Sequence, residues 1–226
     1  YGTLPFAGLA RAAFISIQLL KSFVNIGIFD DINLYLNSLD TVSGKITRDF
    51  HSLNKQAFLD KYGHLRPGTY DILSPRYDEK PELYFDWTTR LKTYDKEESS
   101  FQISSQQYQE LSALLSKHHF ENSVDELFNF IKKSIEGREF GKFIFSQNLS
   151  AAIQILGDLG KECGISNEDM SYANIQAVYE AFTSSMSARN IIIDSIMQGK
   201  ETFSEAKQIS LPSLITSDDQ ILSAST

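Results

Sequence analysis

Apolar side chains recur along this chain at three- and four-residue intervals and seldom alternate, which is the spacing of helix faces and not of strands. From Pro5 to Ile28, Phe6, Leu9, Ala10, Ala13, Phe14, Ile17, Leu20, Val24 and Ile28 recur at helical spacing on one face, with Thr3 available as N-cap and Pro5 suited to the first turn. Ala12, Ile15, Leu19, Phe23 and Ile26 fill the others, so the pattern predicts a core helix buried nearly all round. Arg11, Gln18, Lys21 and Asn25 interrupt the run well short of the roughly 18 consecutive apolar residues of a membrane span. Next come shorter helices: Asp30 or Asp31 caps Ile32 to Leu39, and Thr41 or Ser43 caps a segment through Phe50.

Periodicity resumes near Ser104 with Tyr108, Leu111, Leu114 and Leu115, and His118 and His119 close that helix. Neighbours in a helix point about 100° apart, and no Cys or carboxylate ladder accompanies the pair, so no metal site is expected there. Ser123-Val124-Asp125-Glu126 is a capping box that opens the longest periodic stretch, Val124 through Ile131, Phe143 and Leu156 to Glu162. Gly137, Gly141, Gly157 and Gly160 within it each cost about 1 kcal/mol relative to Ala, which predicts a kink or a close helix contact. Ser166, with Asp169 three residues on, caps the next segment; Ile175, Val178, Tyr179 and Phe182 continue the repeat, and a further helix is expected from Ser187 to Ile209. The reading is all-α: a multi-helix, bundle-like domain over residues 1–210, with a long central helix and one long ordered loop. Lys92 to Ser100 reads as a surface connection, and residues 211–226 as a Ser/Thr/Asp-rich linker.

The loop is where helical spacing stops, from Lys61 to Glu79. Gly63 and Gly68 are expected to take backbone angles closed to other residues, and Pro67 and Pro75 push Arg66 and Ser74 toward extended conformations. It carries His64, Arg66, Tyr70, Asp71, Arg76, Asp78 and Glu79, an inventory that can bind an anion through guanidinium forks steadied by carboxylates. The same residue types also form structural ion-pair networks, and that alternative stays open. His64 suits proton transfer or a ligand contact, but equally a structural hydrogen bond. Beyond it, Leu83-Tyr84-Phe85-Asp86-Trp87 carries the only Trp and reads as the plug of a core edge.

Composition narrows the partners. A net charge of -8 over 226 residues disfavours nucleic acid and anionic membrane, which require a basic face. The lone Cys163 excludes an intrachain disulfide and fits a reducing, cytoplasmic setting. The first residue is Tyr, with no charged leader after it, so the chain reads as a fragment. No Gly-rich phosphate loop, Gly-x-Ser-x-Gly elbow or Gly-Gly pair occurs.

Tyr62-Gly63-His64-Leu65-Arg66-Pro67-Gly68, followed by Ser74-Pro75-Arg76-Tyr77-Asp78-Glu79, resembles the Gly-His-Arg…Pro-Arg-Trp segment of phosphoenolpyruvate synthase-like and rifampicin phosphotransferase-like enzymes. Leu65 is inserted between His64 and Arg66, and Thr69-Tyr70-Asp71 stands where many relatives have a Glu, which suggests a subfamily with a different acceptor. Arg138-Glu139, Leu156-Gly157 and Glu168-Asp169-Met170-Ser171-Tyr172 are similar to later motifs of the same enzymes, in the same order. The resemblance implies the helical region between an ATP-grasp domain and a swivelling phosphohistidine domain, both partners within one longer chain, with residues 211–226 leading to the latter. It implies ATP and Mg2+ for the whole enzyme but neither bound here, no catalytic residue in this fragment, and a small-molecule acceptor. His64, Arg66, Tyr70 and Arg76 would contact substrate, and Asp71, Asp78 and Glu79 would orient them on a backbone shaped by Gly63, Pro67 and Gly68. The alternative is a non-catalytic helical interaction or scaffold domain.

Overall fold

A computed structural model describes residues 3–88, 101–210 and 216–217. The expected connection at Lys92 to Ser100 and nearly all of the expected linker lie outside the described residues. Those described form nine α-helices and no strand: α1 Thr3–Asn25, α2 Asn33–Ser38, α3 Val42–Ser52, α4 Lys55–Tyr62, α5 Ser105–Lys117, α6 Val124–Glu162, α7 Asn167–Met170, α8 Ile175–Thr183 and α9 Ala188–Ala206. The chain is therefore all-α, with the long helix in place as one 39-residue element.

The starts of these helices follow local chemistry. Ser123 and Glu126 exchange side-chain and backbone hydrogen bonds at the head of α6, and Ser104 with Gln107 does the same for α5. Thr41, Asn54 and Ser166 each accept a backbone N–H at the heads of α3, α4 and α7, satisfying donors that an uncapped helix would leave bare. At the end of α5, His119 takes a left-handed φ of 58°, and Phe120 N–H turns back to the Leu115 carbonyl.

Two compact units result: residues 1–66 with 76–149, and residues 67–75 with 150–226. In the first, Ala13, Leu20 and Phe23 of α1 join Tyr35, Leu111, Val124, Ile131 and Ile135 in one core. Tyr35, Phe101 and Phe128 meet edge-on or stacked at 4.9–6.1 Å, contacts that add to area burial. The backbone N–H groups of Asp40 and Ser43 donate to Glu136 and Glu139 of α6, which pins the α2–α3 corner. Leu9 of α1 rests against Gly137 and Gly141, so the close helix contact expected from those glycines is present. A second aromatic group in this unit packs Trp87 against Phe50, Phe58 and Phe85 at 5.1–5.7 Å.

The second unit centres on Ile165, Met170, Ile192 and Ile196, with Ile72 packed against them. Its α8 and α9 lie against one another, and Ser195 of α9 accepts the Asn174 N–H at the head of α8. Gly199 is required by close approach: a Cβ there would run into the Tyr172 carbonyl.

Three expectations change. The first helix is not buried all round: it turns Ala13, Ser16, Leu20 and Phe23 inward and leaves Leu4, Phe14 and Ile15 more than half exposed. Only 22% of its apolar window is buried, and by length and composition it is long enough and apolar enough to cross a membrane. Second, α8 buries Ala177 and Val178, while Tyr179 and Phe182 face outward at 64% and 80% exposure. Third, neither Gly63 nor Gly68 is among the left-handed glycines, which in the described residues are Gly27 and Gly164. Their role is space, as the candidate site makes plain.

Candidate functional site

Helix α4 delivers the chain into the loop. Its last residue, Tyr62, is 1% exposed and donates to Asp49 Oδ2 at 2.7 Å; Lys61 reaches the same oxygen at 2.6 Å. Asp49 on α3 thus fixes the exit of α4, where the Phe58 ring lies 5.0 Å from that of Tyr62. Burial pushes the Tyr62 phenol above its usual value, and the carboxylate it donates to adds to that shift.

Gly63 continues in right-handed helical geometry, φ -57° and ψ -30°. The chain then leaves and returns so that Tyr77 N–H donates to the Leu65 carbonyl at 2.8 Å and Asp78 N–H to the Gly63 carbonyl at 3.2 Å. That return lays Asp78 directly on Gly63: a Cβ on Gly63 would come within 2.8 Å of Asp78 Cβ and Oδ2, and closer still to the Leu59 carbonyl. Asp78 in turn grips Arg76, whose Nε donates to Oδ1 at 2.9 Å while Nη2 donates to Oδ2. Two parallel bonds of this kind lock the guanidinium plane. Glu79 completes the turn by accepting the Arg76 backbone N–H at 2.8 Å. Asp78 thus holds the Arg76 guanidinium, and Glu79 holds its backbone. Two of the five guanidinium N–H donors serve Asp78, and the side chain is 20% exposed.

His64 sits beside this clamp, its ring 4.9 Å from that of Phe143 and hydrogen-bonded to the Phe143 backbone. Its Nε2 is buried without a partner, so Nδ1 makes that bond. Burial pushes its pKa below 6.5, and the Arg76 cation adds to the effect, while the Phe143 bond and Asp78 oppose it. A neutral imidazole is thus the resident form near neutral pH. Arg66 is 8% exposed, the most buried arginine of the loop.

The tip, residues 67–75, belongs to the second unit. Gly68 N–H donates to Ser74 Oγ at 3.0 Å, and a Cβ on Gly68 would press on Asp71 and Ser74. Asp71 Oδ1 accepts the Leu73 N–H at 2.8 Å, the side-chain-to-backbone turn typical of Asp. Tyr70 is 70% exposed. The candidate residues therefore fall into two sets: Gly63, His64, Arg66, Arg76, Asp78 and Glu79 in the first unit, and Pro67, Gly68, Tyr70 and Asp71 in the second.

Sequence reading missed Asp49 and Phe143, which hold Tyr62 and His64. Phe143 was visible as a helix-face residue, but a backbone carbonyl that receives an imidazole leaves no trace in sequence. Among the described residues, no three His, Cys, Asp or Glu side chains converge where they could hold a metal ion. Compared with protein-family models, curated proteins and solved structures, the chain matches none.

Proposed function

We propose that this chain is the central helical part of an ATP-dependent, dikinase-like phosphotransferase of the phosphoenolpyruvate synthase-like type. It bridges an ATP-grasp domain and a phosphohistidine domain in a cytoplasmic enzyme and contributes contacts to phosphate or to a small-molecule acceptor. The observation that carries the reading is the Arg76 clamp: within the run that bears the resemblance, Ser74-Pro75-Arg76-Tyr77-Asp78-Glu79, Asp78 holds the Arg76 guanidinium plane by two hydrogen bonds. Phosphoryl transfer asks a protein chiefly for positioned positive charge, and a preorganised fork supplies it without reorganisation during the reaction. In this reading His64, Arg66 and Arg76 contact phosphate or acceptor, with Asp78 holding the Arg76 guanidinium in place. Nucleotide and Mg2+ belong to the other domains.

A second reading, a helical interaction module without catalysis, draws on one observation: Ile175, Tyr179 and Phe182 form an exposed apolar stripe along α8. The reading frame around this chain separates the two. The phosphotransferase reading expects an ATP-grasp segment on one side and a Gly-Gly…Ser-His phosphohistidine motif on the other; a frame with neither refutes it.

A further inference from the structure

Within the second unit, a cavity of about 220 Å3 is lined by the loop tip and by α6, α7 and α8. Its buried wall is made by Ile153, Met170 and Val178. A cavity of about 150 Å3 already holds benzene, so this one takes a single phenyl ring. Asp71, at its edge, turns its carboxylate to the loop, onto the Leu73 N–H and against Gly68, and the Ser171 hydroxyl donates to the Glu168 carbonyl, so the cavity selects by shape and apolar surface and not by charge. Ile175 stands at its mouth, 52% exposed, and begins the apolar stripe that continues through Tyr179 and Phe182 at 64% and 80% exposure. Steps of four and three residues keep all three within about 60° of arc on α8. Glu180, the one charged residue of α8, follows Tyr179 and so points about 100° away from it.

This surface is complementary to itself. Ile175 and Phe182 lie seven residues apart, about 10.5 Å along the helix. When two copies of α8 pair antiparallel about a two-fold axis, Phe182 of each lies over Ile175 of the other, and so over the other's cavity mouth. One projecting ring and one ring-sized hole per copy are then filled together, which closes the pair. The seam carries no charge, so two copies of a chain with a net charge of -8 meet there without like charges opposed in the contact. Tyr70 at the cavity edge, Ile175, Tyr179 and Phe182 are each more than half exposed. Together they present on the order of 500 Å2 per copy, so pairing removes about 1,000 Å2, the least that a specific interface needs. We infer that the α8 face is a two-fold contact between copies of this chain, with the Phe182 ring of each seated in the cavity of the other. The inference rests on the interaction reading of the stripe and names its partner; a monomeric chain would refute the pairing, and the reading frame around the chain would still decide between the two functional readings.

The test is sedimentation of the full chain from about 1 µM to about 1 mM, where a contact of this size should give a reversible monomer–dimer equilibrium with Kd on the order of 10–100 µM. Phe182→Ala removes a ring that is 80% exposed, so the fold is kept and dimerisation should weaken by about tenfold or more. The site of contact is read by NMR on a mixture of copies with labelled Ile and Val methyl groups and unlabelled copies: cross-copy NOEs are expected from the Phe182 ring to the Ile153 and Val178 methyls. A chain that stays monomeric at the highest concentration overturns the inference. So does growth past the dimer, dimerisation that survives Phe182→Ala, or a dimer whose cross-copy NOEs come from another face, such as Leu4, Phe14 and Ile15 of α1. The NOE measurement uses the parent chain, so it decides even if the variant is altered elsewhere.

Discussion

Substituting alanine for Gly63 tests the reading of the loop at its tightest point. Gly63 has φ -57° and ψ -30°, angles that alanine adopts readily, and the change in backbone propensity alone would stabilise by up to about 1 kcal/mol. Space decides the other way. The added Cβ would lie 2.8 Å from both Cβ and Oδ2 of Asp78 and press on the Leu59 carbonyl, which accepts the Gly63 N–H at 2.7 Å. Relief requires moving either helical backbone or the carboxylate that grips Arg76. Overpacking of this kind costs about 1–3 kcal/mol, so the net change is a loss of roughly 1–2 kcal/mol. Trp87, the sole tryptophan, packs against Phe58 and Phe85 in the same unit, so its fluorescence during urea denaturation reports that unit alone. Gly8→Ala is the control: it lies inside α1 with nothing within 4 Å of its added Cβ, and should be neutral or gain up to about 1 kcal/mol. A Gly63→Ala protein as stable as the parent would refute the packing of Asp78 on Gly63.

Other expectations follow from neighbouring contacts. Tyr62→Phe keeps the ring but removes the bond to the Asp49 carboxylate, and should cost about 1–2 kcal/mol by the same fluorescence measurement; no change would mean that Lys61 alone satisfies Asp49. His64 has a depressed pKa in the folded chain, so the unfolded state binds its proton first, and stability present above pH 6.5 is lost as the pH falls toward the folded value. His64→Gln should flatten the Trp87-monitored loss of stability below that pH, and an unchanged slope would assign it to other groups. The chain by itself is expected not to convert ATP to AMP with any acceptor offered; turnover that survives removal of contaminating ATPases would show that the proposed division of roles is wrong.

Helix starts were legible because they are local. Ser123 and Ser166 announce themselves by a partner three residues on, and each caps as expected. Which face a helix buries is a tertiary matter. Phe14 and Phe182 fit apolar repeats as well as Phe23 and Val178 do, yet the first two are more than half exposed. The loop shows the same division. Gly63 and Gly68 were expected to supply unusual backbone angles, whereas close approach of Asp78 and Asp71 is what leaves no room for a side chain there. The Arg76–Asp78 contact joins residues two apart in the loop. The Phe143 contact to His64 spans nearly eighty residues, and no periodicity encodes it.

The central claim, that the Arg76 clamp serves phosphoryl transfer, is tested most directly by following both half-reactions in the complete protein carrying Arg76→Lys. A lysine keeps the charge but loses the planar fork. The account predicts transfer from the phosphorylated histidine to the acceptor slowed by about 10- to 100-fold, while phosphorylation of that histidine by ATP proceeds at the parental rate and Trp87-monitored unfolding shows the first unit still folded. Unaltered transfer, or failure of both half-reactions together with loss of the first unit's fold, would contradict it and leave the clamp a structural ion pair.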